Sequence, residues 1–552
     1  MSDGTILYAD HYYPPGKKSS PTLLMRQPYG RDIASTVVYA HPTWFARQGY
    51  NVVIQDVRGR GDSEGDFYPF RHEGRDGAET IAFIRNRSEC NGRIGMYGFS
   101  YQGMTQLLAA AEDPPGLQCI APAMTAHDLY NGWFYHHGAL RLASSLGWGL
   151  QMLKEDARRR GLHAASDRLE RAWANLPMQY LETPYGTHTA IQSAGLPTYV
   201  VDWFEQDEPG SYWHDMDISK AVEKIRIPAL HLSGWYDTYL KGSIDGFLAL
   251  TSQAGTAHAR DNQYLLAGPW VHIPWGNRIG LHYLGSEAAF DTDALLLRWL
   301  NHWLKDTNEF AAEPRIRHFA LNEDRWHSAN TWPSTPNEIL YLHSNGRANS
   351  SKGNGILTKH QCSPDETPDV FVHDPEVPVA APGGFASVAG PSNQVALELG
   401  NNLLVYTSEP LEIPLRIFGS PQISVYLSTS AAEVDLIVKL ICLHPAGEAQ
   451  FISIGIARSC YLFGDHYAQD SLFHWKFPLE PTSCVFAIGT RLRIEIAGSA
   501  YPLYDRNPGN ATAPRLASAW NWQRSTHTVF HDAARPSALH LPVISADKRR
   551  AE

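Results

Sequence analysis

The chain has 552 residues, 43% of them apolar and 19% charged, with a formal net charge of -11. That length exceeds what one hydrophobic core serves, so several domains are expected, and the acidic balance argues against a nucleic-acid partner, which needs a basic face. No apolar run of about eighteen residues and no basic segment followed by an apolar one occurs, so no membrane partner is expected and the reading is cytoplasmic.

In chain order, Leu23-Leu24-Met25 and Val52-Val53-Ile54 are short apolar runs that end in turn-rich sequence, as buried strands of a mostly parallel sheet do. Residues 73–84 are patterned as a helix and lead through Asn91-Gly92 to the apolar run Ile94 to Tyr97. Then comes Gly98-Phe99-Ser100-Tyr101-Gln102-Gly103, followed by the helix-like Met104 to Ala111. A serine at a glycine-flanked turn between strand and helix has the layout of a nucleophile elbow, although the second glycine usually stands one residue earlier. Taken alone, the stretch is equally a glycine-rich strand-to-helix turn.

From about residue 126 strand signals stop. Residues 140–160 and 166–176 look helical, the second with Ser166 as N-cap and Leu169, Ala172, Trp173 and Leu176 at helical spacing. Sheet signals resume over Ala229 to Ser233 and Tyr264 to Ala267, and a helix is expected over 291–305. Beyond Trp332-Pro333, short period-two strands such as Ile423, Val425, Leu427 and Leu492, Ile494, Ile496 imply sheets with one wet face, as in a β-sandwich or jelly roll. The expected organisation is therefore α/β: a hydrolase domain in two parts (residues 1–125 and 223–332), an inserted helical cap (126–222) and a C-terminal all-β jelly roll (333–552).

A serine nucleophile needs a histidine base and an acid that fixes its tautomer, in the order Ser, Asp or Glu, His, on loops after later strands. Asp237 in Gly234-Trp235-Tyr236-Asp237 follows one late strand and His272 in Gly268-Pro269-Trp270-Val271-His272 follows the next. Either alone reads as a turn or packed loop residue; together, in the required order, they favour a triad. The pair His136-His137 does not share a helix face and has no ligand-spaced partner, and the six cysteines form no C-x-x-C pair. Neither a metal nor another cofactor is expected. The alternating glycines of Asp56 to Gly65 lack a phosphate-cradle context and read as a structural loop.

At this point the residues resemble the cocaine esterase and X-Pro dipeptidyl peptidase family of serine hydrolases. The likeness rests on G-x-S-Y-x-G at Gly98 to Gly103, Pro28-Tyr29, Asp56-Val57-Arg58-Gly59, Trp235-Tyr236-Asp237, Gly268 to His272, Asp374-Pro375 with Gly383-Gly384, and Tyr504-Asp505-Arg506-Asn507. The resemblance implies Ser100 as nucleophile, His272 as base then acid, and Asp237 as its orienter. It also implies an oxyanion hole from the Tyr29 hydroxyl and the Tyr101 N–H, and an acyl pocket for which Tyr239, Trp148, Trp203 and Phe385 are candidates. Aromatic lining favours an apolar or aryl acyl group.

Members that hydrolyse α-amino acid esters resemble the same triad but add carboxylates two and three residues after the acid, where this chain has Tyr239 and Leu240. Recognition of a free ammonium is thereby disfavoured. The family's dipeptidyl peptidases also carry an extra N-terminal domain, whereas this chain starts almost directly in the hydrolase sheet. The expected reaction is hydrolysis of a small-molecule carboxylic ester. Acyl transfer, and X-Pro dipeptidyl or acylaminoacyl amide hydrolysis by the same triad, stay as alternatives, and homodimer formation is left open. A non-catalytic binding protein built on the jelly roll is the remaining reading, disfavoured because every triad member is retained.

Overall fold

The computed structural model describes residues 1–16, 19–32, 36–196, 199–333, 335–385 and 389–544. They form two compact units, one of Met1–Trp133, Pro209–Phe319 and Asp324–Trp332, the other of Phe134–Glu208, Ala320–Glu323 and Pro333–Glu552. Among the described residues no helix is long and apolar enough to cross a membrane.

The first unit is built on a nine-stranded sheet. From one edge its strands are Ala9–Tyr12, Asn51–Asp56, Ser20–Gln27, Cys90–Phe99, Leu117–Ala123, Ala229–Tyr236, Gln263–Val271, Ile316–Ala320 and Arg325–Ala329. Ala9–Tyr12 runs antiparallel to its neighbour, and the pairings from Asn51–Asp56 through to Ile316–Ala320 are parallel. Strands Asn51–Asp56 and Ala229–Tyr236 are buried along their whole length, which is why Val52-Val53-Ile54 reads as an unbroken apolar run without alternation. One shared core gathers Leu23, Met25, Val52, Ile54, Tyr97 and Cys119 with Leu296, Trp299 and Leu300 of the helix Thr292–Lys305. Asp291 caps that helix by accepting from the Ala294 N–H, as its apolar spacing and preceding aspartate imply.

Parallel strands carry their C-terminal ends to a single edge. The register sets Phe99 beside Ala123, Ala123 beside Leu232, and Leu232 beside Leu266. Whatever follows Phe99, Tyr236 and Val271 therefore emerges at the same rim, the place where open α/β sheets bind ligands.

Two strands run longer than expected. Gly234-Trp235-Tyr236 and Gly268-Pro269-Trp270-Val271, read above as loop, continue the strands Ala229–Tyr236 and Gln263–Val271. Their glycines answer to close approach: a Cβ on Gly234 would stand 2.3 Å from the Trp270 carbonyl oxygen, and one on Gly268 would stand 2.4 Å from the Trp270 ring.

The second unit combines helices with an eleven-stranded, mostly antiparallel sheet and two two-stranded ones, Tyr135–His136 with Ala139–Leu140 and Leu415–Gly419 with Thr482–Phe486. Its helices include Leu142–Arg159, His163–Ala174 and Leu176–Leu181. Ser166 is not an N-cap: the helix starts at His163, and the Ser166 N–H donates to Leu162 O inside its first turn. The periodic stretch also breaks at Asn175, so Trp173 and Leu176 sit on different helices.

The expected wet face of the jelly-roll strands is corrected in part. Arg493 and Glu495, which alternate with Leu492, Ile494 and Ile496, are buried on Arg491–Ala497. They are matched there by Glu398 and by Lys439, whose Nζ lies 2.9 Å from Glu495 Oε2. Paired charges occupy the second face of a strand that is covered on both sides.

Candidate active site

Ser100 stands between the strand Cys90–Phe99 and the helix Tyr101–Ala111 with φ 61° and ψ -126°. A non-glycine residue holds such a conformation only when its surroundings impose it. The surroundings do so through several hydrogen bonds. The Ser100 N–H donates to Ala123 O at 2.8 Å, and the Phe99 N–H donates to Gln102 Oε1 at 3.1 Å. Gln106 Nε2 donates to Gly98 O at 3.0 Å, while its Oε1 accepts from the Ala121 N–H.

The displaced glycine has a packing reason. A Cβ at Gly103 would come within 2.6 Å of Thr125 Cβ, so the helix can lie against the Thr125 segment only with glycine there. Position 102, where a glycine is usual, instead supplies the side chain that holds Phe99.

Beneath the elbow lies a buried polar network. The Tyr101 hydroxyl donates to Glu73 Oε1 at 2.7 Å and accepts from the Phe70 N–H at 3.0 Å. Glu73 Oε2 pairs with Arg26 Nη1 at 2.8 Å, and Arg26 Nε donates to Gln55 Oε1. Burial raises the Glu73 carboxyl above its ordinary pKa, with the Arg26 charge opposing, and burial pushes the Tyr101 phenol well up, so it stays a neutral donor. Glu73→Ala would leave the fully buried Arg26 unpaired, and a loss of about 3–5 kcal/mol is expected in denaturant titration. Glu73→Gln keeps an acceptor for Tyr101 and should lose less; equal stability of Glu73→Ala and wild type would contradict this account of the network.

Asp237 is the residue immediately after Ala229–Tyr236, and His272 the one immediately after Gln263–Val271. Asp237 is fully buried; its Oδ1 lies 2.6 Å from His272 Nδ1 and its Oδ2 accepts from the Tyr239 N–H at 3.0 Å. One carboxylate oxygen thus faces the imidazole while the other is fixed by backbone. This leaves His272 Nε2 as the ring nitrogen available for proton transfer. The imidazole side chain is 30% exposed, its ring 5.5 Å from the Phe99 ring, next in sequence to Ser100. Among the described residues no hydrogen bond joins Ser100 Oγ to His272; such contacts commonly tighten when substrate binds.

Tyr239 packs edge-on to His272 at 5.3 Å and stacks on Trp133 at 3.9 Å, and Trp133 meets Phe70 at 5.1 Å. Trp133 completes this wall but was not singled out from the sequence; its only signal was its place in the aromatic stretch Trp133-Phe134-Tyr135. Tyr29 lies two residues past Ser20–Gln27, whose neighbour in the sheet is the Ser100 strand, and its N–H donates to Gln27 Oε1. The Tyr101 N–H is the first of its helix.

The other three pocket candidates belong to the second unit. Trp148 and Trp203 stack there at 5.2 Å, and the Arg141 guanidinium lies 4.9 Å from the Phe385 ring centre. His136 and His137 are also there, held to the Tyr504 hydroxyl at 2.8 Å and to Ile456 O at 3.0 Å. In the first unit, the Asp56 to Gly65 loop is tied by Arg58 to Asp76 at 2.7 Å, and a Cβ on Gly61 would overlap Asp56.

Residues 3–274 match the model of the X-Pro dipeptidyl-peptidase (S15 family), and residues 308–540 match that of the X-Pro dipeptidyl-peptidase C-terminal non-catalytic domain. Through the two models together, the chain matches the S15 family of serine hydrolases. It is similar to the cocaine esterase of Rhodococcus sp. (strain MB1 Bresler), with 29% identity over 577 residues, covering 99% of this chain and 97% of that protein. Its fold matches an aminopeptidase from the marine sediment archaeon Thaumarchaeota archaeon (TM-score 0.80, 24% identity, covering 99% of this chain and 95% of that one). An α-amino acid ester hydrolase matches it comparably (TM-score 0.81, 24% identity, covering 99% and 95%). With its α/β catalytic domain and C-terminal jelly-roll-like domain, the chain matches the serine hydrolases of that family.

Proposed function

We propose that Ser100 is the nucleophile, His272 the general base and then acid, and Asp237 the group that fixes the imidazole tautomer. The Tyr101 N–H and the Tyr29 hydroxyl serve as oxyanion donors, and the preferred acyl group is apolar or aryl. The observation that carries this reading is the 2.6 Å contact between His272 Nδ1 and the buried Asp237, at the rim where the strained Ser100 emerges.

In the proposed reaction Ser100 Oγ adds to the ester carbonyl as His272 Nε2 takes its proton. The tetrahedral oxyanion is met by donors in place before reaction, so little reorganisation is required. Collapse breaks the ester C–O bond, and the alkoxide leaves with the proton from His272. Water then repeats the cycle on the acyl-enzyme, releasing the carboxylic acid and restoring Ser100.

The acyl preference rests on the wall beside the imidazole. Tyr239 and Trp133 are neutral aromatics, and position 240 is the buried Leu240, so the stretch after Asp237 offers no carboxylate to an α-ammonium. Initial rates on p-nitrophenyl esters test this. The benzoate and butyrate should exceed an α-aminoacyl ester in kcat/KM by about tenfold or more, the scale of one unpaired charge at a binding site. A preference for the aminoacyl ester would overturn the assignment of acyl group and leave the triad untouched.

A further inference from the structure

We propose that His343, Cys362 and Glu366 form a binding site for one zinc-class divalent ion in the second unit. His343 ends the strand Glu338–His343, and Cys362 and Glu366 lie on the segment between Gly355–Thr358 and Asp369–His373. One donor atom from each lies within 4.8 Å of the others. A single tetrahedral ion with bonds of about 2.0–2.3 Å to sulfur, nitrogen and oxygen holds its donors about 3.3–3.6 Å apart, so the three side chains would adjust by about an ångström to bind it.

The hydrogen bonding around His343 points to a positive centre. His343 Nε2 lies 3.0 Å from His360 O, which can only accept, so this nitrogen carries a proton. His343 Nδ1 then faces Glu366 Oε1 at 2.8 Å, and a carboxylate oxygen accepts too. Two acceptors at that distance need a cation between them, either a second ring proton or a metal. A ligating histidine that donates its other N–H to a backbone carbonyl is the usual arrangement at metal sites. The adjacent sulfur favours the metal: Cys362 is buried, and among the described residues its Sγ makes one long hydrogen bond, 3.7 Å to Leu342 O.

The carboxylate is also held as a ligand needs to be. Glu366 Oε1 accepts from the Ser363 N–H at 2.8 Å, and Oε2 lies 3.0 Å from His531 Nδ1. His531 Nε2 reaches Asp369 Oδ2 at 2.9 Å, where the Ser344 and Tyr406 hydroxyls also donate. Both His531 and Asp369 are fully buried, so they fix Glu366 from behind. The side chains of His343 and Glu366 keep 18% and 11% exposure, which leaves an approach for the ion and for water as a fourth ligand. A mixed sulfur, nitrogen and oxygen set selects the zinc class over calcium or magnesium, which take oxygen. The bound ion would pin the 359–368 segment to the end of the Glu338–His343 strand.

Cadmium tests the site because it reports its own thiolate bond. Chelator-treated full-length protein titrated with Cd²⁺ should develop an ultraviolet thiolate-to-cadmium band saturating at one equivalent, displaced by Zn²⁺. All six cysteines are thiols, so the variants decide which one binds. Cys362→Ser should abolish the band, and His531→Gln, which loosens Glu366, should weaken Cd²⁺ by about 10–100-fold. If Cys362→Ser fails to fold, His343→Gln serves, with the band expected to be lost at the same Cd²⁺. Absence of the band in wild type, or its persistence in every folded variant, would overturn the site and leave a proton, not a metal, between His343 and Glu366.

Discussion

Asp237→Asn is expected to lower kcat for ester hydrolysis by about 10⁴-fold with little change in fold. The reason lies in the two bonds the carboxylate makes. The Tyr239 N–H needs an acceptor, so an asparagine would turn its carbonyl oxygen to that side. Its amide nitrogen would then face His272 Nδ1 and donate to it. Donation at Nδ1 moves the ring proton to Nε2, and an imidazole protonated there cannot take the Ser100 proton. The loss should fall on kcat with KM nearly unchanged. Single-turnover rates with circular dichroism as the folding control check it; a loss below about tenfold would mean that Asp237 does not set the tautomer.

Ser100→Ala should cost more, about 10⁶-fold in kcat, because it removes the atom that bonds to the substrate. Stability separates this residue from its neighbours. With φ at 61°, Ser100 pays steric strain that alanine would share and glycine would not. Ser100→Gly is therefore expected to be equally inactive yet more stable than Ser100→Ala, by about 1 kcal/mol in denaturant titration. A glycine variant less stable than the alanine variant would show that the turn is not held against a local preference. Strain kept at a reactive serine is explained by its reactivity, since a glycine would fold better.

How far the sequence could be read depends on the range of the interaction that decides each residue. The elbow, Asp237 and His272 were legible because each follows a strand with a local apolar signature, and parallel strands deliver their ends to one rim. Gly234 and Gly268 misled for the same reason: glycine reads locally as a breaker, and the nearby Trp270 backbone and ring that demand it were not visible. Arg493 and Glu495 followed a solvent-facing pattern, and only pairing revealed their partners Glu398 and Lys439. The displaced Gly103 could be placed by resemblance, but its contact with Thr125 could not. His343, Cys362 and Glu366 carry no short-range metal motif. Spacing along the chain hides them, because only the fold brings the end of one strand to a later loop.

The proposed triad requires an activated Ser100, and a fluorophosphonate reports it most directly. Intact mass after incubation should show one adduct on wild-type protein, mapped by peptide digestion to the segment containing Ser100, and none on Ser100→Ala. An unmodified, well-folded wild type, or an adduct that persists on Ser100→Ala, would contradict the central assignment.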